Sequence, residues 1–309
     1  MISRAGLRRL TPGASAVLML AANVPDVDVV SLAFGPAAYV QYHRWVTHAF
    51  VAVPFISWLP VLMVWFWARG KLRVWPAYFL SVAGVLSHLL LDYTNTYGIR
   101  LWAPFSEQWL SLSITHVFDV WIWLILVGAW VARGIARLVH TEIGSQAPSG
   151  RIPALVALAS LVLYDGARGV LHHRALEMAR MRLYHGLPPR RVAAVPHPFD
   201  PLRWTVLVDT ERFLAAGPLR LTEEFDPDRL RLFHQPEANA ALEAARQDRI
   251  FQMAMHFSPF LVWQVLPASS EGEVLVKAID MRFGVPPPER FTAQAVVRKG
   301  AVVRSWYQF

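Results

Sequence analysis

The sequence predicts an α-helical membrane protein of about four to five transmembrane helices, followed by a soluble α+β domain. Hydrophobic residues fill 55% of the 309 positions and charged residues only 17%, and the mean hydropathy is +0.33. Apolar residues concentrate in long stretches before residue 172, whereas the later part is polar, rich in arginine and interrupted by prolines. We therefore predict a helical membrane domain at residues 1–173 and an α+β domain at residues 174–309.

Five apolar stretches are candidate spans, because ~20 helical residues cross a hydrocarbon core of ~30 Å. The first is only 14 residues long, and Asp165 and Arg168 interrupt the fifth. Arginines precede the first stretch as in a signal peptide, but no cleavage site follows, so we expect the segment to be retained. In order, the stretches are residues 11–24, 48–68, 75–91, 117–132 and 152–170.

The loop charges predict an orientation for these stretches. The N-terminal tail and the second-to-third and fourth-to-fifth connections carry nine Lys and Arg residues, whereas the opposite side carries two, Arg44 and Arg100. Because short cytoplasmic loops are enriched in positive residues, the nine are predicted to be cytoplasmic. If the fifth stretch also spans, the C-terminal domain is extracytoplasmic.

The C-terminal domain shows short strand patterns among turn residues. Residues 204–209, 273–279 and 294–298 predict strands, and residues 237–255 predict a helix. A polar, helix-like stretch opens at His172 and reaches Tyr184. These mixed elements predict an α+β fold.

Composition excludes several kinds of site. The chain has no Cys, so thiolate metal ligands, disulfides and Cys nucleophiles are absent. Its net charge of +8 comes from scattered Arg near apolar stretches, which indicates contact with the lipid bilayer and no nucleic-acid partner. No Gly-rich phosphate loop, nucleophile elbow or His-Glu-x-x-His motif is present.

Four Asp and four His fall at the ends of the first four stretches, on the side predicted to face outward. Imidazole and carboxylate are ligands of Zn and related divalent metals, and ionisable groups at membrane depth are usually functional. Two pairs share a helix face, because their members are four and three residues apart. The candidate ligands are Asp26, Asp28, His43, His48, His88, Asp92, His116 and Asp119.

Each candidate also has a structural interpretation. Asp26 is suited to cap a helix, His116 to satisfy a polar position in a core, and Asp119 to pair with Arg44 or Arg100. For His116, ligand and structural roles are equally open. For the other candidates we favour metal binding.

The chemistry predicted for this set is hydrolysis by a metal-activated water. One or two divalent ions, Zn or alternatively Mn, would neutralise clustered carboxylates that otherwise repel one another. His43 is a candidate ligand or general base, and Arg44 is a candidate to stabilise an anionic transition state. Asn95, Tyr97 and Arg100 are candidates for the substrate entrance.

The order Pro-Asp-x-Asp, His-Arg-x-x-Thr-His and Ser-His-x-x-x-Asp, followed by Asn-x-Tyr-Gly and a later Asp, resembles the YdjM-like inner-membrane-associated metal-dependent hydrolases. The resemblance covers roughly residues 20–125 and implies a multi-pass hydrolase of the bacterial inner membrane. The His-x-x-x-Asp pairing is also distantly similar to that of zinc-dependent phospholipases C, which implies a phosphoester substrate, and the depth of the site suits a lipid-like one. The family is also labelled LexA-binding, and no feature of this sequence supports that partner. The matching residues are Pro25, Asp26, Asp28, His43, Arg44, Thr47, His48, Ser87, His88, Asp92, Asn95, Tyr97, Gly98, Pro104, Phe105 and Asp119.

One departure affects the predicted ligand count. Members of this family usually carry a Thr-His pair ahead of Pro-Asp-x-Asp, whereas here Thr11 is followed by Pro12 and no His precedes His43. A start further upstream and a lost ligand both explain this difference. The alternative function is non-catalytic, with the His/Asp cluster serving metal or proton transport or binding a structural metal.

Overall fold

The computed structural model describes residues 1–145, 150–268, 270, 272–286 and 289–309. Contacts within it divide the chain into two compact units, one of residues 1–28 and 44–170 and the other of residues 29–43 and 171–309. We describe each unit by itself. The division at residue 173 that composition suggested stays a prediction.

The first unit is helical. It begins with short 3-10 turns at Ile2–Ala5 and Leu7–Arg9, which precede its first helix. Residues 29–43 belong to the other unit, and after them two more 3-10 turns follow at Val46–His48 and Phe50–Ala52. The helices of this part are α1 (Ala14–Ala21), α3 (Val53–Ile56), α4 (Trp58–Trp67), α5 (Val74–Thr94), α6 (Val120–Glu142) and the first part of α7 (Arg151–Arg180), while α2 (Pro36–Tyr42) belongs to the second unit.

Four helical segments in the described residues are long and apolar enough to cross a membrane. They are Phe50–Trp67, Val74–Thr94, Val120–Glu142 and Arg151–Arg180. A fifth exists if α1 and the 3-10 segment Pro25–Phe34, which meet at an angle of 42°, are one broken span. The prediction of four to five apolar helices is therefore confirmed. The first stretch is bent because Pro25 lacks the N–H that would continue α1.

The core of the first unit lies between α1, α4 and α5. Val17, Val61 and Leu80 are almost fully buried there. The close approach of α1 and α5 depends on Gly84, because a Cβ built on it would lie 2.7 Å from the Cβ of Ala21. This packing brings Asp26, which follows α1, close to His88 on α5.

The second unit contains two antiparallel four-stranded sheets, each with its strands in sequence order. One consists of β1 (Arg191–Pro196), β2 (Arg203–Asp209), β3 (Phe213–Arg220) and β4 (Arg231–His234). The other consists of β5 (Leu261–Pro267), β6 (Glu273–Asp280), β7 (Thr292–Arg298) and β8 (Ala301–Gln308). The three predicted strands lie in β2, β6 and β7. Pairing runs, for example, from Val206 to Gly217 and from Val276 to Ala295.

Two helical predictions for the C-terminal part need correction. The helix expected at residues 237–255 is two helices, α8 (Ala240–Gln247) and α9 (Arg249–Phe257). Asp248 separates them, since its backbone is extended and its carboxylate accepts the N–H of Ile250 as the cap of α9. The polar stretch from His172 is not a separate helix but the last part of α7, which ends at Arg180. Its Ala175 and Ala179 pack against Trp204 in the core of the first sheet.

Candidate metal centre

Three structural elements of the first unit bring four of the predicted ligands together. Asp26 lies just after α1 in the first turn of the segment that begins at Pro25. His48 ends the 3-10 turn Val46–His48. His88 and Asp92 are one turn apart on α5, so both point to the same side of that helix. One ligand atom from each of the four lies within 4.8 Å of those from the others.

Five of the six separations between these atoms are close to those of a single tetrahedral site. His48 Nε2 and His88 Nε2 are 3.2 Å apart, and each lies near Asp26 Oδ1, at 3.4 and 3.5 Å respectively. Asp92 Oδ2 lies 3.4 Å from His48 Nε2 and 3.2 Å from His88 Nε2. With Zn–N and Zn–O bonds of roughly 2.0–2.1 Å, the edges of a tetrahedron are about 3.3 Å long. The donor set and its spacing therefore fit one divalent ion.

The hydrogen bonds of the two imidazoles direct their Nε2 atoms toward this point. The Nδ1–H of His88 donates to the carbonyl oxygen of Ala22 at 2.7 Å, which leaves a lone pair on Nε2. His48 Nδ1 lies 3.2 Å from Asp28 Oδ2. The same carboxylate oxygen accepts the Thr47 hydroxyl at 2.6 Å and the Arg44 backbone N–H at 3.0 Å. In this arrangement Asp28 orients His48 from behind, as carboxylates do at many zinc sites.

Asp92 uses its two oxygens differently. Oδ1 forms a buried ion pair with Arg44 Nη2 at 2.7 Å and lies 3.4 Å from the Asn95 amide nitrogen. Oδ2 is buried and accepts no hydrogen bond within the described ranges of the chain, although it faces both imidazoles. A buried carboxylate oxygen without a donor is costly unless a cation lies beside it. The environment of Oδ2 therefore suits a cation held between it and the two imidazoles.

Arg44 is tied to the protein rather than directed into open space. Its Nη1 donates to Asn95 Oδ1 at 3.2 Å and to the Gly98 carbonyl at 3.0 Å, and its guanidinium lies 4.8 Å from the centre of the Tyr97 ring. Its backbone is in the left-handed region, with φ of 58°. Arg44 therefore holds Asp92 and the Asn95–Gly98 turn in one arrangement.

The exposure of the four candidate ligands is unequal. The side chain of His48 is fully buried, and those of His88 and Asp92 are 13% and 10% exposed. The Asp26 side chain is 46% exposed. Three of the four side chains are thus largely buried, and only Asp26 is substantially open to its surroundings.

Two further predicted ligands lie outside this cluster. The backbone N–H of Phe118 donates to His116 Nδ1 at 3.0 Å, and burial is the main reason why the pKa of His116 is below its usual value. Asp119 caps α6 by accepting the N–H groups of Trp121 and Ile122. Both Asp119 oxygens also accept the Tyr164 hydroxyl, at 2.8 and 3.0 Å. Metal binding by His116 and Asp119 stays a prediction.

The remaining candidates have other surroundings. His43 follows α2 as its C-terminal cap and stacks on Tyr39 in the second unit, with ring centroids 4.4 Å apart. Arg100 pairs with Glu107 at 2.9 Å, and its guanidinium lies 4.7 Å from the centre of the Trp109 ring. Burial is the main cause that lowers the pKa of Arg100. The roles predicted for these residues in catalysis or substrate binding stay predictions.

Sequence reasoning did not assign a role to several residues that support the site. Thr47 lies within the His-Arg-x-x-Thr-His motif, so its position was a usable signal. The contact of the Ala22 carbonyl had no sequence signal, because every residue has a backbone carbonyl whatever its type. Tyr164 lies in the fifth apolar stretch, and nothing in the sequence of that stretch indicates a contact with Asp119.

Comparison with known proteins identifies the family that the chain matches. The family model described as "YdjM inner membrane protein" matches residues 2–175, which include the four residues of the cluster. The uncharacterized protein YfhP of Bacillus subtilis (strain 168) is 25% identical over 291 residues, covering 92% of this chain and 82% of YfhP. No solved structure shows significant similarity to this chain.

Proposed function

Because the chain belongs to the YdjM inner membrane protein family, we propose that it is a membrane-bound, metal-dependent hydrolase of phosphoester or lipid-like substrates. The observation that carries the proposal is the tetrahedral spacing of Asp26, His48, His88 and Asp92, with one partly exposed ligand. A closed tetrahedral site with four buried protein ligands favours a structural role, whereas hydrolysis needs a position accessible to water. The exposed Asp26 therefore supports the catalytic assignment.

A bound Zn or Mn ion would supply Lewis acidity and lower the pKa of a water molecule at this position. The chain's own residues prepare the site for it. His88 is oriented through Ala22, His48 through Asp28, and Asp92 through Arg44. Arg44 also places a fixed positive charge next to the cluster, which favours an anionic substrate. His43 is retained as a proposed general base or ligand, and Asn95, Tyr97 and Arg100 as proposed neighbours of the substrate.

We also propose an orientation. The apolar helices span the bacterial inner membrane several times, with the nine basic loop residues in the cytoplasm and the metal cluster at the outer face. The C-terminal sheets then lie outside the cytoplasm. Attaching a membrane-impermeant thiol label to single cysteines introduced at exposed Leu112 and exposed Trp67 tests this orientation, because the chain has no native Cys. Labelling of Leu112→Cys in intact cells, with Trp67→Cys protected, is the expected result.

The first test of the function is metal content of detergent-purified protein, measured by elemental analysis together with hydrolysis of para-nitrophenyl phosphate and its diester. Wild type is expected to hold about one equivalent of metal, and His88→Ala and Asp92→Asn to lose both metal and activity. His173→Ala is the matched control, since the His173 side chain is 69% exposed and His173 is not among the clustered residues. Metal retained in both cluster variants would contradict the site.

One alternative has its own support. Four protein ligands on one ion are typical of structural zinc sites, so a stabilising, non-catalytic metal is the second candidate function. The two functions differ in the behaviour of Asp26→Ala. A catalytic site with three remaining ligands keeps much of its metal and gains an open position, whereas a structural site loses both metal and stability.

A further inference from the structure

An apolar groove of about 440 Å³ adjoins the metal cluster in the first unit. Its size falls within the range of roughly 300–1,000 Å³ that is usual for ligand pockets. The lining comes from α1, α5, α6 and the N-terminal turn, and includes Leu18, Met19, Ala22, Gly84, Ser87 and Trp130. We propose that this groove binds the hydrocarbon chain of a phospholipid-type substrate whose phosphoester head lies at the metal cluster.

The shape of the groove suits an extended chain. Ser15, Leu18, Met19 and Ala22 recur at intervals of three and four residues, so one face of α1 forms the wall over two turns. The seven steps from Ser15 to Ala22, at a rise of ~1.5 Å each, give this wall a length of about 10 Å. Met19 and Trp130 are 70% and 65% exposed, so the groove is open toward whatever surrounds the apolar helices. For helices of membrane-spanning length that surrounding is hydrocarbon.

None of the four candidate ligands lines the groove, but three of its lining residues are bonded or hydrogen-bonded to them. Ala22 lines the groove, and its carbonyl accepts the Nδ1–H of His88. Ser87 lines the groove and precedes His88 in α5. Asn23 is also in the lining, and its carbonyl accepts the backbone N–H of Asp26, the most exposed of the four candidate ligands. A chain lying along α1 would thus bring its polar head to the open side of the site.

The inference rests on the proposed function only where it calls the occupant a substrate, so the first experiment measures binding alone. Purified protein is reconstituted in phosphatidylcholine vesicles that contain a phosphatidylglycerol with a diazirine in one acyl chain. After irradiation, labelled tryptic peptides are quantified by mass spectrometry. Cleavage at Lys and Arg separates α1 on residues 10–44, α4 on residues 45–69 and α5 on residues 74–100.

If the lipid chain occupies the groove, residues 10–44 and 74–100 are expected to be labelled more strongly than residues 45–69. Met19→Trp fills the groove and is expected to lower this excess about tenfold, equivalent to about 1.4 kcal/mol of binding free energy. Met63→Trp is the matched control, because Met63 is 49% exposed on α4 and does not line the groove. Uniform labelling of the apolar helices, or an equal effect of both variants, would overturn the proposal.

A kinetic experiment then separates the groove from the proposed activity. Met19→Trp is expected to raise KM about tenfold for a long-chain phosphoester and to have a smaller effect on para-nitrophenyl phosphate, which has no chain, whereas the control Met63→Trp is expected to leave both activities at the wild-type level. Equal losses on both substrates would overturn a chain-binding role. If wild type hydrolyses neither compound but labelling is confined to the groove, the hydrolase proposal fails and the lipid site stands.

Discussion

Replacing Asp28 by Asn tests whether this residue orients a ligand or is one itself. The change keeps the shape of the side chain but removes the charge that faces His48 Nδ1 at 3.2 Å. The oxygen involved also accepts the Thr47 hydroxyl and the Arg44 N–H. Removal of such an orienting group typically weakens metal binding ~10–100-fold, which corresponds to about 1.4–2.7 kcal/mol.

The assay is competition for Zn with a chelator of known affinity, in detergent, for wild type, Asp28→Asn and Asp92→Asn. We expect Asp28→Asn to keep a stoichiometry of one at reduced affinity, and Asp92→Asn to lose measurable binding. Thr47→Val, which removes only the hydroxyl donor to Asp28, is expected to have a smaller effect in the same direction. If Asp28→Asn binds as poorly as Asp92→Asn, Asp28 is a ligand. Unchanged affinity would show that its contact with His48 is unimportant.

Three other predictions follow from the same geometry. Asp119→Ala is expected to leave metal content unchanged while lowering the free energy of unfolding by about 0.5–2 kcal/mol, because the cap of α6 is lost; loss of metal would instead make Asp119 a ligand. Gly84→Ala is expected to reduce metal content, since its Cβ would meet Ala21 at 2.7 Å and separate Asp26 from His88, whereas Gly128→Ala, with no atom within 4 Å of the new Cβ, is the control. Removing metal with a chelator is expected to lower the thermal unfolding temperature, because an ion at 100 times its Kd stabilises the folded state by about 2.7 kcal/mol, and an identical melting curve after verified removal would contradict a bound ion.

The sequence located the residues of the cluster through local patterns. His88 and Asp92 are four apart in an apolar helix, and helix geometry alone brings them to the same side. Asp26 and His48 were expected nearby because both fall at ends of stretches assigned to the same membrane face. Membrane topology restricts where such ends can lie, which is why a one-dimensional pattern carried three-dimensional information.

The same reasoning does not distinguish the surroundings of one acidic residue from those of another. Asp28 and Asp26 are both acidic and two residues apart, yet one faces His48 Nδ1 and the other faces both Nε2 atoms. Asp119 and Asp92 are both aspartates at the ends of apolar stretches, yet Asp119 accepts the Tyr164 hydroxyl and caps α6. The residue type tells us that a carboxylate oxygen is present. The path of the backbone determines which groups that oxygen contacts.

The sequence by itself determined the apolar helices, three of the eight strands and the supply of imidazole and carboxylate groups, because each depends on residue type and spacing within one segment. The tertiary structure decided the rest. Packing of α1 against α5 at Gly84 sets the distance from Asp26 to His88, and Arg44 and Asp28 hold Asp92 and His48 through contacts that span 48 and 20 residues of chain. Such contacts reflect where separate segments meet in space, which no local pattern records.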